Sequence, residues 1–201
     1  MEIRPNTIAT WFNILRENPE MLPRFSECFW ESQLNSKEII VQDVFNTIKT
    51  DYHGCIYIFG GWYGILAQLL NDSYLTQKIY TIDVDPHCEE IISKYFNVPV
   101  IESVTCDMAD FQYVHHPDIV INTSTEHVSQ KVFNQWWTNV PTGTFYILQG
   151  NNLTISEHIR TARDIGHFIE INHCRKHEFQ KVTQCPGPDG MFERYTVAGY
   201  K

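Results

Sequence analysis

The sequence predicts an α/β fold, a doubly wound and mostly parallel seven-stranded sheet with an N-terminal helical extension. Three observations carry this. Short apolar runs such as Cys55-Ile56-Tyr57-Ile58-Phe59 read as strands buried on both faces, as in a parallel sheet. These runs alternate with segments whose apolar residues recur at helical spacing. The last stretch breaks the alternation and reads as two antiparallel strands.

Residues 1–53 form the helical extension. Ile8, Trp11, Phe12 and Leu15 follow the spacing of one buried helix face, and Asn18-Pro19 and Pro23 interrupt it. A second helix is expected from Asn35, with Glu38 three residues on as a capping box and Val41, Val44, Phe45 and Ile48 as its apolar face.

Residues 54–201 form the main domain. Gly60-Gly61 closes the first strand, and a helix with Ile65, Leu66, Leu69 and Leu70 follows. A second strand over 79–82 ends at Asp83. Asp85 and Pro86 supply an N-cap and first-turn proline for a helix with Cys88, Ile91, Ile92 and Tyr95. A third strand over 100–106 leads to Asp107, and a fourth covers 118–122. The next helix carries Val128, Val132, Phe133 and Trp136, and a fifth strand covers 144–149. A helix from about Ser156 is expected to stop at Gly166. Strands over 167–179 and 192–200 then close the chain, joined by Pro186-Gly187-Pro188-Asp189-Gly190.

Composition narrows the function. Hydrophobic residues are 43% and charged residues 19%, a globular balance. No apolar run reaches membrane-spanning length and no signal-peptide plan opens the chain, so a soluble cytoplasmic protein without membrane partners is expected. The net charge of −9 and the lack of a basic cluster argue against gripping nucleic acid without a basic partner. The six cysteines include no CxxC pair and read as free thiols. His173, Cys174 and His177 fall in a segment read as strand, where they do not converge, and no metal ligands are assigned.

In a doubly wound sheet, ligands bind outside the carboxyl ends of the strands. After the first strand, Gly60-Gly61-Trp62-Tyr63-Gly64 lets the backbone turn sharply before a helix N-terminus. After the second, Asp83 can accept from both hydroxyls of a ribose. After the third, Asp107 can accept from an adenine amine while Met108 covers the ring. Each alone fits an ordinary turn; the three in order mark an adenosine-bearing ligand.

This order resembles the class I S-adenosylmethionine-dependent methyltransferases over residues 54–201. Gly60-x-Trp62-x-Gly64 looks like the family's glycine-rich motif, Ile82-Asp83-Val84 its ribose motif and Cys106-Asp107-Met108 its adenine motif. Asp118-Ile119-Val120-Ile121-Asn122 looks like the fourth strand leading to its active site. The resemblance implies strand order 3-2-1-4-5-7-6 and S-adenosylmethionine as cofactor. It implies cofactor contacts from Phe59, Gly60, Gly61, Trp62, Gly64, Asp83, Val84, Asp107, Met108 and Asn122. Two positions depart from it: Ile58 stands where the family usually has an acid, and Trp62 replaces the middle glycine. Trp62 is open to two readings, facing the sulfonium or packing into the helix. A nicotinamide-binding fold would need G-x-G-x-x-G, and Phe59 stands where its first glycine would fall.

For catalysis, Asn122, Glu126 and His127 follow the fourth strand. Asn122 can orient a nucleophile, and Glu126 or His127 can take its proton. The alternative is that Ser124 or Thr125 caps the next helix, with Glu126 in its first turn. Gln149-Gly150-Asn151-Asn152 adds polar groups to the same rim. The expected reaction is methyl transfer to an oxygen or nitrogen of a small-molecule or protein acceptor. A nucleic-acid methyltransferase with a partner, a nicotinamide oxidoreductase and a non-catalytic cofactor-binding subunit are the other classes.

Overall fold

The computed structural model describes residues 3–48, 52–188 and 190–201. Seven strands form one sheet in the order β3-β2-β1-β4-β5-β7-β6. They are β1 (Tyr52–Phe59), β2 (Leu75–Asp83), β3 (Ile101–Thr105), β4 (Ile119–Asn122), β5 (Phe145–Asn151), β6 (Phe179–Gly187) and β7 (Gly190–Tyr200). β1 to β5 run parallel, and β7 lies antiparallel between β5 and β6. This is the expected sheet, with the order of strand addition reversing at the centre between the parallel strands β1 and β4.

Side-chain alternation splits the core into two layers. Ile56 and Ile58 face one side with Ile79, Ile121 and Ile147. Tyr57 and Phe59 face the other with Ile82, Val120 and Leu148. Helices α4 (Ile65–Ser73) and α5 (Pro86–Tyr95) cover the first face, and α6 (Gln130–Asn139) and α7 (Ile165–Ile171) the second. Asp85 caps α5 as expected, its Oδ1 accepting from the His87 amide at 3.0 Å. Trp136 is buried against Phe59, edge to face at 5.2 Å. No helix among the described residues is long and apolar enough to cross a membrane.

The N-terminal helices α1 (Pro5–Glu17), α2 (Leu22–Ser26) and α3 (Glu31–Glu38) pack on the first face and share its core through Trp11, Ile14 and Phe25. Their detail departs from the sequence reading. α1 buries Thr7, Trp11 and Ile14, while Ile8 and Phe12 stay exposed, Phe12 at 69%. Polar partners turned the helix. The Thr7 hydroxyl donates to buried Asp72 at 2.7 Å, and the Trp11 indole N–H donates to Gln68. A buried carboxylate without partners costs more than an exposed phenyl ring. The second helix starts at Glu31, after extended Trp30, and no capping box forms at Asn35. Instead Ser36 is buried, donating to Gln149 Oε1 at 2.5 Å, and small Ser32 and Ser36 let α3 lie close to the sheet. The chain then widens into a π-helical stretch (Ile39–Val44) that buries Ile39, Ile40, Val41 and Val44.

The C-terminal third also differs. The helix expected from Ser156 to Gly166 does not form, and the chain there is irregular up to Asp164. The strand expected over 167–179 is in its first part α7, with Gly166 inside it. Asp164 decides this by capping: its Oδ1 accepts from the His167 amide at 2.8 Å. A short apolar run such as Phe168-Ile169-Glu170-Ile171 fits either state by pattern alone. β6 begins only at Phe179 and runs through Pro186, read earlier as connection. A proline is tolerated there because β6 is the sheet edge. His173 and Cys174 therefore sit in a turn after α7, not in a strand.

Candidate active site

The carboxyl ends of β1, β2, β3 and β4 meet around one glycine turn. Leaving β1, Gly60 (φ 67°), Trp62 (φ 47°) and Gly64 (φ 72°) all take left-handed backbone. Gly60 has a second reason to lack a side chain: a Cβ there would lie 1.8 Å from Ser124 Oγ in the loop after β4. Trp62 keeps the left-handed conformation without being glycine, at a cost of about 1–2 kcal/mol. Its ring is half-buried, stacks on Tyr63 at 5.7 Å and packs against the first core layer. The Phe59 side chain points into the other core layer, leaving its backbone at the site.

Asp83 ends β2 and holds the turn. Its Oδ2 accepts from the Trp62 amide at 2.9 Å and its Oδ1 from the Asp85 amide at 3.1 Å. A carboxylate oxygen accepts two hydrogen bonds, so each keeps a position for a further donor. Val84 beside it is 67% exposed, an apolar side chain at the surface. Asp107 is exposed after β3, its Oδ1 accepting from the Ala109 amide at 2.9 Å, while Met108 is buried.

Asn122 ends β4 fully buried. Its amide faces Met108 Sδ at 3.5 Å, and its Oδ1 accepts from the Ser124 amide at 3.0 Å. Asn122 thus ties the Ser124 loop and Met108 to the end of β4.

Glu126 and His127 lie in a 3₁₀ turn (Thr125–His127). The cap of α6 is Ser129, whose hydroxyl accepts from the Val132 amide at 3.3 Å, so neither Ser124 nor Thr125 caps the helix. Glu126 is only 3% exposed. Its Oε1 accepts from Asn151 Nδ2 at 2.5 Å, and its Oε2 is buried without a partner. The Glu126 carbonyl accepts from the Ile159 and Arg160 amides, which folds the loop after β5 over this turn. That loop brings His158 beside His127, ring centroids 4.7 Å apart. Arg160 backs the turn, Nε donating to the Thr125 carbonyl at 3.1 Å and the guanidinium lying 4.1 Å from the Phe133 centroid. Burial lowers its pKa to about 10, with the Glu126 charge opposing.

The sequence reading missed His158 and Arg160. Both lie where a helix was expected, and only the loop's fold brings them to Glu126. Asn151 had been noted as a rim residue. Gln149, two residues before it, is buried as well, its amide donating to the Ser36 carbonyl and the Thr196 hydroxyl at 3.0 Å each. The N-terminal helices also reach the site. Arg24 pairs with Asp85 at 2.5 Å, and Phe25 packs on Tyr63 of the glycine turn at 5.4 Å. A depression of about 430 Å³ lined by Cys55, Lys78, Glu102 and His115 lies toward the amino ends of the strands, away from these groups.

No protein-family model matches the chain, and no curated protein is similar to it in sequence. Solved structures are similar in fold. The N-methyltransferase NodS of Bradyrhizobium japonicum WM9, in complex with S-adenosyl-L-homocysteine, superposes with a TM-score of 0.65 at 11% identity, over 94% of this chain and 98% of that one. The magnesium protoporphyrin IX methyltransferase ChlM of Synechocystis PCC 6803, with bound S-adenosylmethionine, gives 0.61 at 10% identity, over 83% and 79%. With the strand order and antiparallel β7, these likenesses show that the chain has the fold of the class I S-adenosylmethionine-dependent methyltransferases.

Proposed function

We propose that this protein is an S-adenosylmethionine-dependent methyltransferase acting on an oxygen or nitrogen nucleophile of a small-molecule or protein acceptor. The observation that carries the reading is the Asp83 carboxylate, fixed by two backbone amides at the lip of a left-handed glycine turn, with acceptor capacity left on both oxygens. The residues present fit the cofactor. Gly60 and Gly64 give the left-handed turn ahead of a helix N-terminus, Asp83 suits two ribose hydroxyls, Asp107 an adenine amine, and Val84 and Met108 the faces of the base.

When bound, the cofactor supplies a methyl group made electrophilic by its sulfonium. The chain's own contribution is alignment and exclusion of water. The backbone of Phe59, Gly60, Gly61, Trp62 and Gly64 lines the turn, and Arg24 and Phe25 cover it from the N-terminal helices. Asn122 fixes the loop after β4. Glu126 and His127, on that loop, form the acceptor side, where they orient the nucleophile or take its proton. The net charge of −9 favours a small or protein acceptor over nucleic acid.

Titration calorimetry with S-adenosylhomocysteine and with NAD⁺, followed by transfer of a labelled methyl group to host-cell fractions, tests this. Binding of the first ligand only, with label incorporated, is the expected result. Binding of NAD⁺ alone would replace the reading with an oxidoreductase, and cofactor binding without any transfer would leave a binding subunit.

A further inference from the structure

We infer that Glu126, His127 and His158 form a binding site for a divalent transition-metal ion. One carboxylate oxygen and one nitrogen from each imidazole lie within 4.8 Å of one another, the sole such grouping of three among the described residues. A zinc-like ion with bonds of about 2.0–2.1 Å holds tetrahedral ligands roughly 3.3 Å apart, within reach by small side-chain rotations.

The groups around the three residues prepare them as ligands. His127 Nδ1 faces the Glu157 carbonyl at 3.2 Å, and His158 Nδ1 faces the Leu153 carbonyl at 2.9 Å. A carbonyl only accepts, so in each pair Nδ1 carries the proton and Nε2 keeps its lone pair. An imidazole donating its other N–H to a carbonyl is the usual outer arrangement of a metal-bound histidine. Glu126 is held likewise: Asn151 takes Oε1, and Oε2 is left buried and unpartnered. An ionised oxygen shut away from water with no donor is costly unless a cation completes it. Arg160 is near enough to feel the Glu126 charge but does not complete Oε2, since its guanidinium donates to the Thr125 carbonyl, Asn172 and Gln130.

Two imidazoles and one carboxylate suit Zn²⁺ or its first-row neighbours, and three protein ligands leave a position open. The site lies on the acceptor side of the sheet edge, so the open position would take an acceptor oxygen. That role rests on the proposed methyl transfer; metal binding itself does not. His127 then serves as a ligand and not as the proton acceptor.

The test uses full-length, tag-free protein stripped with a chelator and titrated with Zn²⁺ alone, and in parallel with Co²⁺, whose visible absorption reports coordination. One ion per chain is expected. His158→Ala and Glu126→Gln should each weaken binding about a hundredfold or more, and Asn151→Ala by about ten- to hundredfold. Circular dichroism confirms that each variant is folded; Glu126→Gln keeps the side-chain shape should the others disturb the loop. Asp83→Ala should bind Zn²⁺ normally. Absence of stoichiometric binding, or unchanged affinity in folded His158→Ala and Glu126→Gln, overturns the site. S-adenosylhomocysteine binding measured on the same samples reports the methyltransferase reading separately, so either can fail alone.

Discussion

The Asp83 carboxylate accepts the Trp62 backbone amide at 2.9 Å, so the acid that ends β2 also fixes the turn that ends β1. Removing it therefore acts on both. Asp83→Ala should lower affinity for S-adenosylhomocysteine by roughly ten- to hundredfold, or about 1.5–3 kcal/mol. Calorimetry on the folded variant measures this, and unchanged affinity would take Asp83 out of the cofactor site.

Gly60 and Ser124 form the second link between the strand ends. Gly60→Ala forces an L residue to φ 67° and drives its Cβ into the Ser124 hydroxyl. The expected loss is about 2–4 kcal/mol, from left-handed backbone and overpacking together. Ser124→Gly should recover the overpacking part only. A double-mutant cycle by urea unfolding that shows no coupling would mean that the two loops separate freely.

Phe25 is fully buried against Tyr63 and Phe29. Phe25→Ala should cost about 3–5 kcal/mol and leave one cooperative transition if the N-terminal helices and the sheet share a core. Two separated transitions in a thermal scan would instead make those helices an independent lid.

Stability should depend on pH through groups of opposite sign. Burial depresses Lys37 to about 8, with the Cys28 thiol opposing and Arg194 reinforcing. Between about 8 and its ordinary 10.5 the unfolded chain holds more protons, so this contribution rises with pH. Burial raises Cys28, Cys174 and Tyr63 to about 12. Their contribution is complete below the ordinary values of 9 and 10 and is lost as pH climbs toward 12. Lys37→Met should be more stable than the parent at pH 7 by on the order of 1–3 kcal/mol, with the gap closing toward pH 10.5. Urea midpoints at pH 7, 9 and 10 test the sign; a gap that widens would contradict it.

His127→Ala should lower turnover by roughly 10²- to 10⁴-fold, whether His127 takes the proton or holds an ion, while cofactor affinity stays within a few-fold. Initial rates with labelled cofactor and calorimetry on the same preparation check both halves. Normal turnover would leave His127 with no part in the reaction.

The sequence by itself determined the parallel strands β1 to β5 and the polar residues at their carboxyl ends. Ile56 to Phe59, Ile82-Asp83 and Ile119 to Asn122 are local signals: runs buried on both faces must be central strands, and polar residues directly after them must fall at one edge. The hydrophobic pattern was insufficient wherever polar partners from distant segments set the outcome. Thr7 and Asp72 turned α1 away from Phe12, Gln149 drew Ser36 into the core, and Asp164 capped a helix where a strand was expected. The grouping of Glu126, His127 and His158 is of the same kind. Glu126 and His127 are adjacent in sequence, but His158 reaches them only because the loop after β5 satisfies its backbone amides on the Glu126 carbonyl. Burial of backbone and polar groups far apart in the chain, which no local pattern encodes, decided where those side chains meet.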